Sequence, residues 1–368
     1  MITTISNQNS DADDYCTPFG VRTVVFDATN GLFLNGQHIF IQGMANHQDA
    51  AGVGSALPDR LFYYRIERLK EMGVTGYRMA HNEPAAELLD ACDQLGMLVL
   101  DENRRFGINA EPLSELSREI RRDRNHPSIF AWSLCNEEVD LQGTTLGASL
   151  IQVMQNLAHS LDPSRKCTAA VNFGWIGGFN TVLDVMGFNY EKCGNLDNFH
   201  RDDPTEAGMG TEVSALLTTR GKYYVDTAND FMWAYDIVLQ NGDYGFGYTF
   251  NSGQPAETWW PRYSTRPWVG GGFVWTGFDY RGETTPYGYP ANSSGAGVMD
   301  TCGFFKEQAY YYQANRTAKP VLHLFPHWNW ATGTNVNVWV YGNCDSVELF
   351  TNGISLGRKL LNVQNHVQ

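Results

Sequence analysis

The segment WSLCNEEVD, residues 132–140, starts as an apolar strand and ends in an amide and two carboxylates. A strand that only fills a core has no use for Asn136, Glu137 and Glu138 in a row. Other apolar runs end in the same way. IFIQGMANH closes on Asn46 and His47, and VTGYRMAH carries Arg78 and ends at His81, before Asn82. MLVLDEN holds Asp101 and Glu102, DVMGFNY ends in Asn189 and Tyr190, EAGMGTE ends in Glu212, and GGGFVWTGF holds Trp275 just before Asp279. Two carboxyl groups that face each other can split a glycosidic bond, one as proton donor to the leaving oxygen and the other as ionised nucleophile. Burial and mutual repulsion must then set their pKa values apart. Carboxylates gathered at one rim also bind metal ions or amines, so residue types alone leave those chemistries open.

The elements that carry these ends alternate along the chain. Eight short apolar runs follow one another, each joined to the next by a segment that is usually helical in pattern. The helix expected over 59–72 puts Phe62, Ile66 and Leu69 on one face. Helical patterns recur at 85–96, 113–125, about 145–160 and 305–316, and a long helical insertion is expected over 223–239. Continuous apolar strands with helical crossovers imply an α/β fold with a covered parallel sheet. Eight of them imply a (β/α)8 TIM barrel, which brings the strand ends to one mouth; a doubly wound open sheet is the alternative. The barrel should occupy residues 37–318 as the catalytic domain. Residues 1–36 read as a disordered start, to about residue 17, followed by the remnant of an immunoglobulin-like β domain with turns at Asn30-Gly31 and Asn35-Gly36. Residues 319–368 alternate apolar and polar and read as a partial β-sandwich segment. Its strands are too few to close two sheets, so the chain reads as cut at that end.

Composition narrows the partners. A hydrophobic share of 43% excludes a disordered chain. The net charge of −14 argues against nucleic acid or an anionic membrane as partner. No apolar run approaches the roughly 18 residues of a membrane span, and the first residues lack the pattern of a signal peptide. Seven cysteines lie singly, without a CxxC pair, which reads as mostly buried free thiols in a reducing, cytoplasmic setting. No GxSxG or HExxH motif points to a serine hydrolase or a zinc peptidase.

Five elements occur together and in order: RxxHN at 78–82, Asn136-Glu137 after an apolar strand, Asn189-Tyr190, Thr211-Glu212 and GGFVWTGFDY at 271–280. In this combination the chain resembles glycoside hydrolase family 2, especially its bacterial β-galactosidases, from about Phe19 to Gln368. The resemblance implies a retaining exo-β-glycosidase that hydrolyses terminal β-D-galactosides by double displacement. It implies Glu137 as acid/base and Glu212 as nucleophile. It places Asn136 on the sugar 2-hydroxyl, Tyr190 and Arg78 on Glu212, His47 and His81 on sugar hydroxyls, Trp275 as the apolar floor and Asp300 near the sugar. Glu138 should face away, because neighbouring strand residues point to opposite sides.

Departures from the family pattern are local. Cys135 stands where glycine is common, and Glu83 where proline is usual. The metal ligands of the enterobacterial members are missing near Asn103, so no Mg²⁺ and no other cofactor is expected. The N-terminal sugar-binding sandwich of the family is not recognised either, so an open cleft and self-association through exposed apolar faces are expected. The alternatives are a β-glucuronidase, whose Asn-x-Lys pair is not found, a β-mannosidase, and a non-catalytic carbohydrate-binding barrel.

Overall fold

The computed structural model describes residues 1–7, 10–190, 194–226, 228–233, 255–284 and 287–361. Two strands stand among the described residues where a disordered start is expected. Strand β1 (Ile2–Ser6) pairs antiparallel with β2 (Asp11–Cys16). β-branched and aromatic residues favour the pairing, and the Asn7 side chain accepts from the Ser10 N–H at 3.0 Å in the connection. Strands β3 (Val24–Asp27), β4 (Gly31–Leu34) and β5 (Gln37–Ile39) form an antiparallel sheet. Asn35 and Gly36 link β4 to β5 with φ of 52° and 78°, the left-handed pair that a tight two-residue hairpin requires.

The eight apolar runs form one closed barrel. Its strands are β6 (Ile41–Asn46), β7 (Gly76–Met79), β8 (Leu98–Glu102), β9 (Ile129–Asn136), β10 (Lys166–Val171), β11 (Met186–Asn189), β12 (Gly208–Ser214) and β13 (Val269–Trp275). Each pairs in parallel with the next, and β13 returns to β6. Strands β7, β12 and β13 are buried along their whole length, because side chains fill one face and helices cover the other. The Phe273 ring crowds the interior so closely that a methyl group on Gly43 would lie 2.3 Å from it.

The covering helices are α1 (Asp59–Glu71), α2 (Ala86–Leu95), α3 (Ala110–Asp123), α4 (Thr145–Leu161), α5 (Leu196–Asp202), α6 (Ala256–Ser264) and α7 (Glu307–Arg316). Helix α1 buries Phe62, Arg65, Ile66 and Leu69, a stripe at helical spacing. Helix α4 starts where the Thr144 hydroxyl accepts from the Gly147 N–H at 3.0 Å. Helix α2 stops at Gly96, whose φ of 70° a side chain would resist.

Short antiparallel pairs flank the barrel: β14 (Tyr280–Arg281) with β15 (Ser293–Ser294), β16 (Leu322–Phe325) with β17 (Trp339–Gly342), and β18 (Ser346–Thr351) with β19 (Ile354–Leu360). The insertion expected as a helix over 223–239 is not helical in its described part, and 234–239 lie outside the described residues. Thr218 instead bridges to Trp233, and Asp226 to Phe231. The Asp226 carboxylate accepts from the Ala228 N–H at 3.0 Å, a local bond that competes with helix formation. Cys92, Cys135 and Cys167 are buried free thiols, as expected, but Cys16 and Cys302 are exposed, on a solvent-facing hairpin and a loop; Cys193 lies outside the described residues. No described helix is long and apolar enough to cross a membrane.

Candidate active site

Arg78 organises the mouth of the barrel. It lies one residue before the end of β7 and is fully buried, so its charge demands close partners. Its Nε and Nη2 donate to both oxygens of Glu102, at 2.9 and 3.1 Å. Its Nη1 donates to Glu212 Oε2 at 2.8 Å and to the Thr211 carbonyl at 3.2 Å. Nη2 also reaches Asn136 Oδ1 at 2.8 Å. Burial alone would lower the Arg78 pKa, but the charges of Glu102 and Glu212 lift it above the ordinary arginine value. One fixed cation therefore sets the positions of three side chains from three strands.

Glu102 ends β8 and is also fully buried. It takes a further bond from Ser133 Oγ at 2.8 Å and lies 2.7 Å from His81 Nδ1. Burial works to raise its pKa, yet Arg78, His81 and Ser133 together hold the carboxyl below its usual range. A carboxylate at Nδ1 places a ring proton on that nitrogen. Asp101, next to it, points the other way. It is buried behind the sheet, where burial and the neighbouring Asp123 push its pKa well up. The pleat separates two acids that the sequence presents as a pair.

That alternation fails at the next strand. Strand β9 ends at Asn136, and Glu137 follows with a φ of 50°. This left-handed turn swings Glu137 back toward the side that Asn136 already faces. Its N–H still donates to the Ala170 carbonyl at 2.9 Å. Both side chains thus enter one cluster, although they are neighbours in sequence. Glu138 is half-buried and takes no part in the hydrogen bonds of that cluster.

Glu212 comes from β12, across the barrel. Its Oε1 accepts from the Tyr190 hydroxyl, and its Oε2 from Arg78. The Tyr190 phenol has its pKa raised by burial and then by Glu212 and Glu137, so it remains a donor. Tyr190 has a φ of 56°, a second left-handed residue at a strand end. Between the two acids stands Asn189. Thr211 Oγ1 donates to Asn189 Oδ1 at 2.7 Å and fixes the amide. The Asn189 nitrogen then lies 2.8 Å from Glu137 Oε1 and 3.5 Å from Glu212 Oε2. Burial, followed by the charge of Glu212, raises the Glu137 pKa to about 7.

Trp275 ends β13 and closes another side. Its ring stacks on His81 with centroids 5.1 Å apart and planes 7° from parallel. His47 packs edge-on against Trp275 at 5.3 Å and lies 4.3 Å from the Tyr280 ring. Burial, then the His81 and Arg78 charges, lowers the His47 pKa to about 4, so this imidazole is neutral near pH 7. Its Nε2 is buried without a partner. The Trp275 indole N–H donates to Tyr280 Oη at 3.1 Å, and that hydroxyl donates to Glu283.

Asp300 is not joined to this cluster. It accepts from Arg220 Nε at 2.6 Å and from the N–H groups of Cys302 and Phe304. It lines an adjacent cavity of about 560 Å³ together with Arg220, Asp230 and Asp279. Asp279 is held at 2.7 Å by Lys306. Four participants were not singled out for these roles by sequence: Glu102, Asn189, Tyr280 and Glu283. Glu102 and Asn189 are visible as polar strand ends and Tyr280 as the last residue of the motif at 271–280, whereas Glu283 lies in a loop without a regular pattern.

Comparison with known proteins adds a second line of observation. The family profile described as glycosyl hydrolases family 2, TIM barrel domain, matches residues 27–115 and 108–248. A domain of unknown function, DUF4982, matches 333–368. The chain is 35% identical to the β-galactosidase BoGH2A of Bacteroides ovatus, over 99% of this chain and 49% of that protein. It is 32% identical to a putative β-glucuronidase of Formosa agariphila, over 94% of this chain and 36% of that protein. It superposes on the crystal structure of a β-glycosidase from Bacteroides vulgatus with a TM-score of 0.82 and 31% identity, covering all of this chain and 50% of that one. The chain spans about half the length of the first curated relative and less of the second.

Proposed function

The chain belongs to glycoside hydrolase family 2, and on that basis we propose that it hydrolyses terminal β-D-galactosides with retention of configuration. The observation that carries this reading is the facing pair of Glu137 and Glu212, bridged by one amide nitrogen. Glu212, held by Arg78 and Tyr190, attacks the anomeric carbon. Glu137 gives its proton to the departing oxygen. In the second step the Glu137 carboxylate takes a proton from water, the water oxygen bonds to the anomeric carbon, and Glu212 is released. Asn136, His47 and His81 offer polar atoms to the sugar hydroxyls, and Trp275 supports the apolar face of the ring.

Membership of the family supports retention, and the spacing does not oppose it. Glu137 Oε1 and Glu212 Oε2 lie no farther apart than two hydrogen bonds, of 2.8 and 3.5 Å, laid end to end. Inverting pairs stand about 6.5–9.5 Å apart to admit a water, and retaining pairs about 5–5.5 Å. Charge supports a neutral sugar over a uronate. Arg220, a cation of the adjoining cavity, is already matched by Asp300, Asp279 and Lys306 match each other, and Asp230 adds further negative charge. The similarity to a putative β-glucuronidase makes the uronate the rival substrate. Initial rates on nitrophenyl β-galactoside, β-glucuronide and β-mannoside decide between them. We expect the galactoside to lead in kcat/KM by at least ~10-fold, the discrimination that one or two polar contacts provide. A leading glucuronide would overturn the choice of sugar, and no turnover of any of the three would overturn the enzymatic reading.

A further inference from the structure

At the end of the barrel opposite the mouth, three side chains of different chemistry meet. His159 lies in the last turn of α4, Cys167 is the second residue of β10, and Asp184 stands two residues before β11. One ligand atom from each, imidazole nitrogen, thiol sulfur and carboxylate oxygen, falls within 4.8 Å of the others. We propose that these three residues form a binding site for a zinc-class divalent cation, separate from the catalytic mouth.

The local structure preorganises the donors. His159 Nε2 lies 2.7 Å from Asp184 Oδ2, and the Cys167 N–H donates to the same oxygen at 2.8 Å. The backbone of Cys167 therefore pins the carboxylate beside its own thiol. Cys167 is fully buried on a barrel strand, and Asp184 is mostly buried, so neither moves freely. Lys166 reaches the other oxygen of Asp184 at 3.4 Å, but it is half exposed and can turn into solvent. Glu206 also lies near Asp184; burial, then the charges of Asp203 and Asp184, raise its pKa to about 8, and its Oε1 is buried without a partner.

The donor set selects the ion. Mg²⁺ and Ca²⁺ prefer shells of oxygen. One sulfur, one nitrogen and one oxygen suit Zn²⁺ and its neighbours among the later transition metals. Three protein ligands leave a fourth position for water. On binding, the cation takes the place of the proton between His159 Nε2 and Asp184, which moves to Nδ1 so that the ring stays neutral. The thiol proton passes to the buffer, and the resulting thiolate and carboxylate balance the two positive charges. Affinity must therefore fall as pH falls. The bound ion would tie the end of α4 to the starts of β10 and β11, a stabilising clip rather than a catalytic centre.

The test uses the full chain, stripped with EDTA and desalted, then titrated with Zn²⁺, Co²⁺ or Mg²⁺. We expect one Zn²⁺ retained per chain, a rise in Tm with Zn²⁺ but not with Mg²⁺, and a near-ultraviolet thiolate-to-cobalt absorption band with Co²⁺. Cys167→Ser should abolish that band, and His159→Gln should weaken Zn²⁺ binding by at least ~10-fold. Cys92→Ala, which removes a different buried thiol, should change neither. His159 is partly exposed, so its replacement leaves the core filled even if Cys167→Ser folds poorly. Failure to retain Zn²⁺, or a cobalt band that survives loss of Cys167, would overturn the proposal and leave His159 and Asp184 as a hydrogen-bonded pair only.

Discussion

Glu137 and Glu212 share a hydrogen-bond donor: the Asn189 amide nitrogen lies 2.8 Å from one carboxyl and 3.5 Å from the other. Their remaining partners differ. Glu212 also takes bonds from a buried guanidinium and a phenol. Asn189 is the one hydrogen-bond partner that the described residues give the Glu137 carboxyl. Burial and the charge of Glu212 are therefore left to act on Glu137, whose pKa rises to about 7. One acid is equipped to hold charge and the other to hold a proton.

Replacing Glu137 by alanine should depend strongly on the leaving group. A nitrophenolate leaves without protonation, whereas an alkoxide does not. We expect kcat/KM on alkyl β-galactosides to fall by ~10²–10⁴-fold, the usual contribution of a general acid, with a much smaller loss on dinitrophenyl β-galactoside. Equal losses on both, measured by initial rates, would remove Glu137 from the acid role.

The pH dependence has a defined sign. Glu137 must be protonated to act as acid, so kcat/KM should be high below about 7 and fall as pH rises through that value. The charge of Glu212 is the second cause of the shift, after burial. In Glu212→Gln the Glu137 pKa should therefore move down. Carbon NMR titration of labelled glutamate reads this directly, and an unchanged or higher value would contradict the coupling.

Arg78→Met should destabilise the fold as well as the site. It leaves Glu102 and Glu212 buried without their cation, a loss of about 3–5 kcal/mol for a broken buried pair. Urea denaturation measures it, and a change under about 1 kcal/mol would show that the two carboxylates find other partners. Arg78→Lys keeps the charge but cannot span Glu102, Glu212 and Asn136 together. It should recover part of the stability and little of the kcat.

Much of this arrangement is legible in the sequence because a parallel barrel imposes it. Strands buried on both faces have polar residues chiefly at their ends, and the fold gathers those ends at one mouth. Asn136, Glu137, Arg78, His81, Tyr190, Glu212 and Trp275 were all marked in this way. Backbone exceptions are not legible. Strict alternation would send Glu137 away from Asn136, and only its positive φ brings both into the cluster. Alternation does operate at Asp101 and Glu102, where it sends one acid behind the sheet and the other to Arg78. Tyr280 closes the motif at 271–280, but nothing in the sequence gives it this role, and Glu283 gives no signal, since irregular loops carry no periodicity to read. Asp300 lies where Arg220 holds it, in the adjoining cavity, so its place near the sugar rests on the resemblance alone.

Glu283 should act on the substrate through Trp275. Its carboxylate holds the Tyr280 hydroxyl, which accepts from the indole N–H. Glu283→Ala should raise KM by roughly 3–10-fold with a smaller change in kcat, matching one hydrogen bond of about 0.5–1.5 kcal/mol. Glu283→Gln keeps an acceptor and should restore most of the difference. A kcat loss larger than the KM change would instead place Glu283 closer to the chemistry.

The central claim is that Glu212 forms a covalent bond to the sugar while Glu137 supplies the proton. A 2-deoxy-2-fluoro-β-galactoside with a dinitrophenolate leaving group slows the second step more than it slows departure of the phenolate, so a glycosyl-enzyme should accumulate. Peptide mass spectrometry after proteolysis then locates the label. The account predicts one fluorogalactosyl group per chain, attached at Glu212 and absent from Glu212→Gln. A label on Glu137, or turnover to the α-anomer with no labelled peptide, would contradict it.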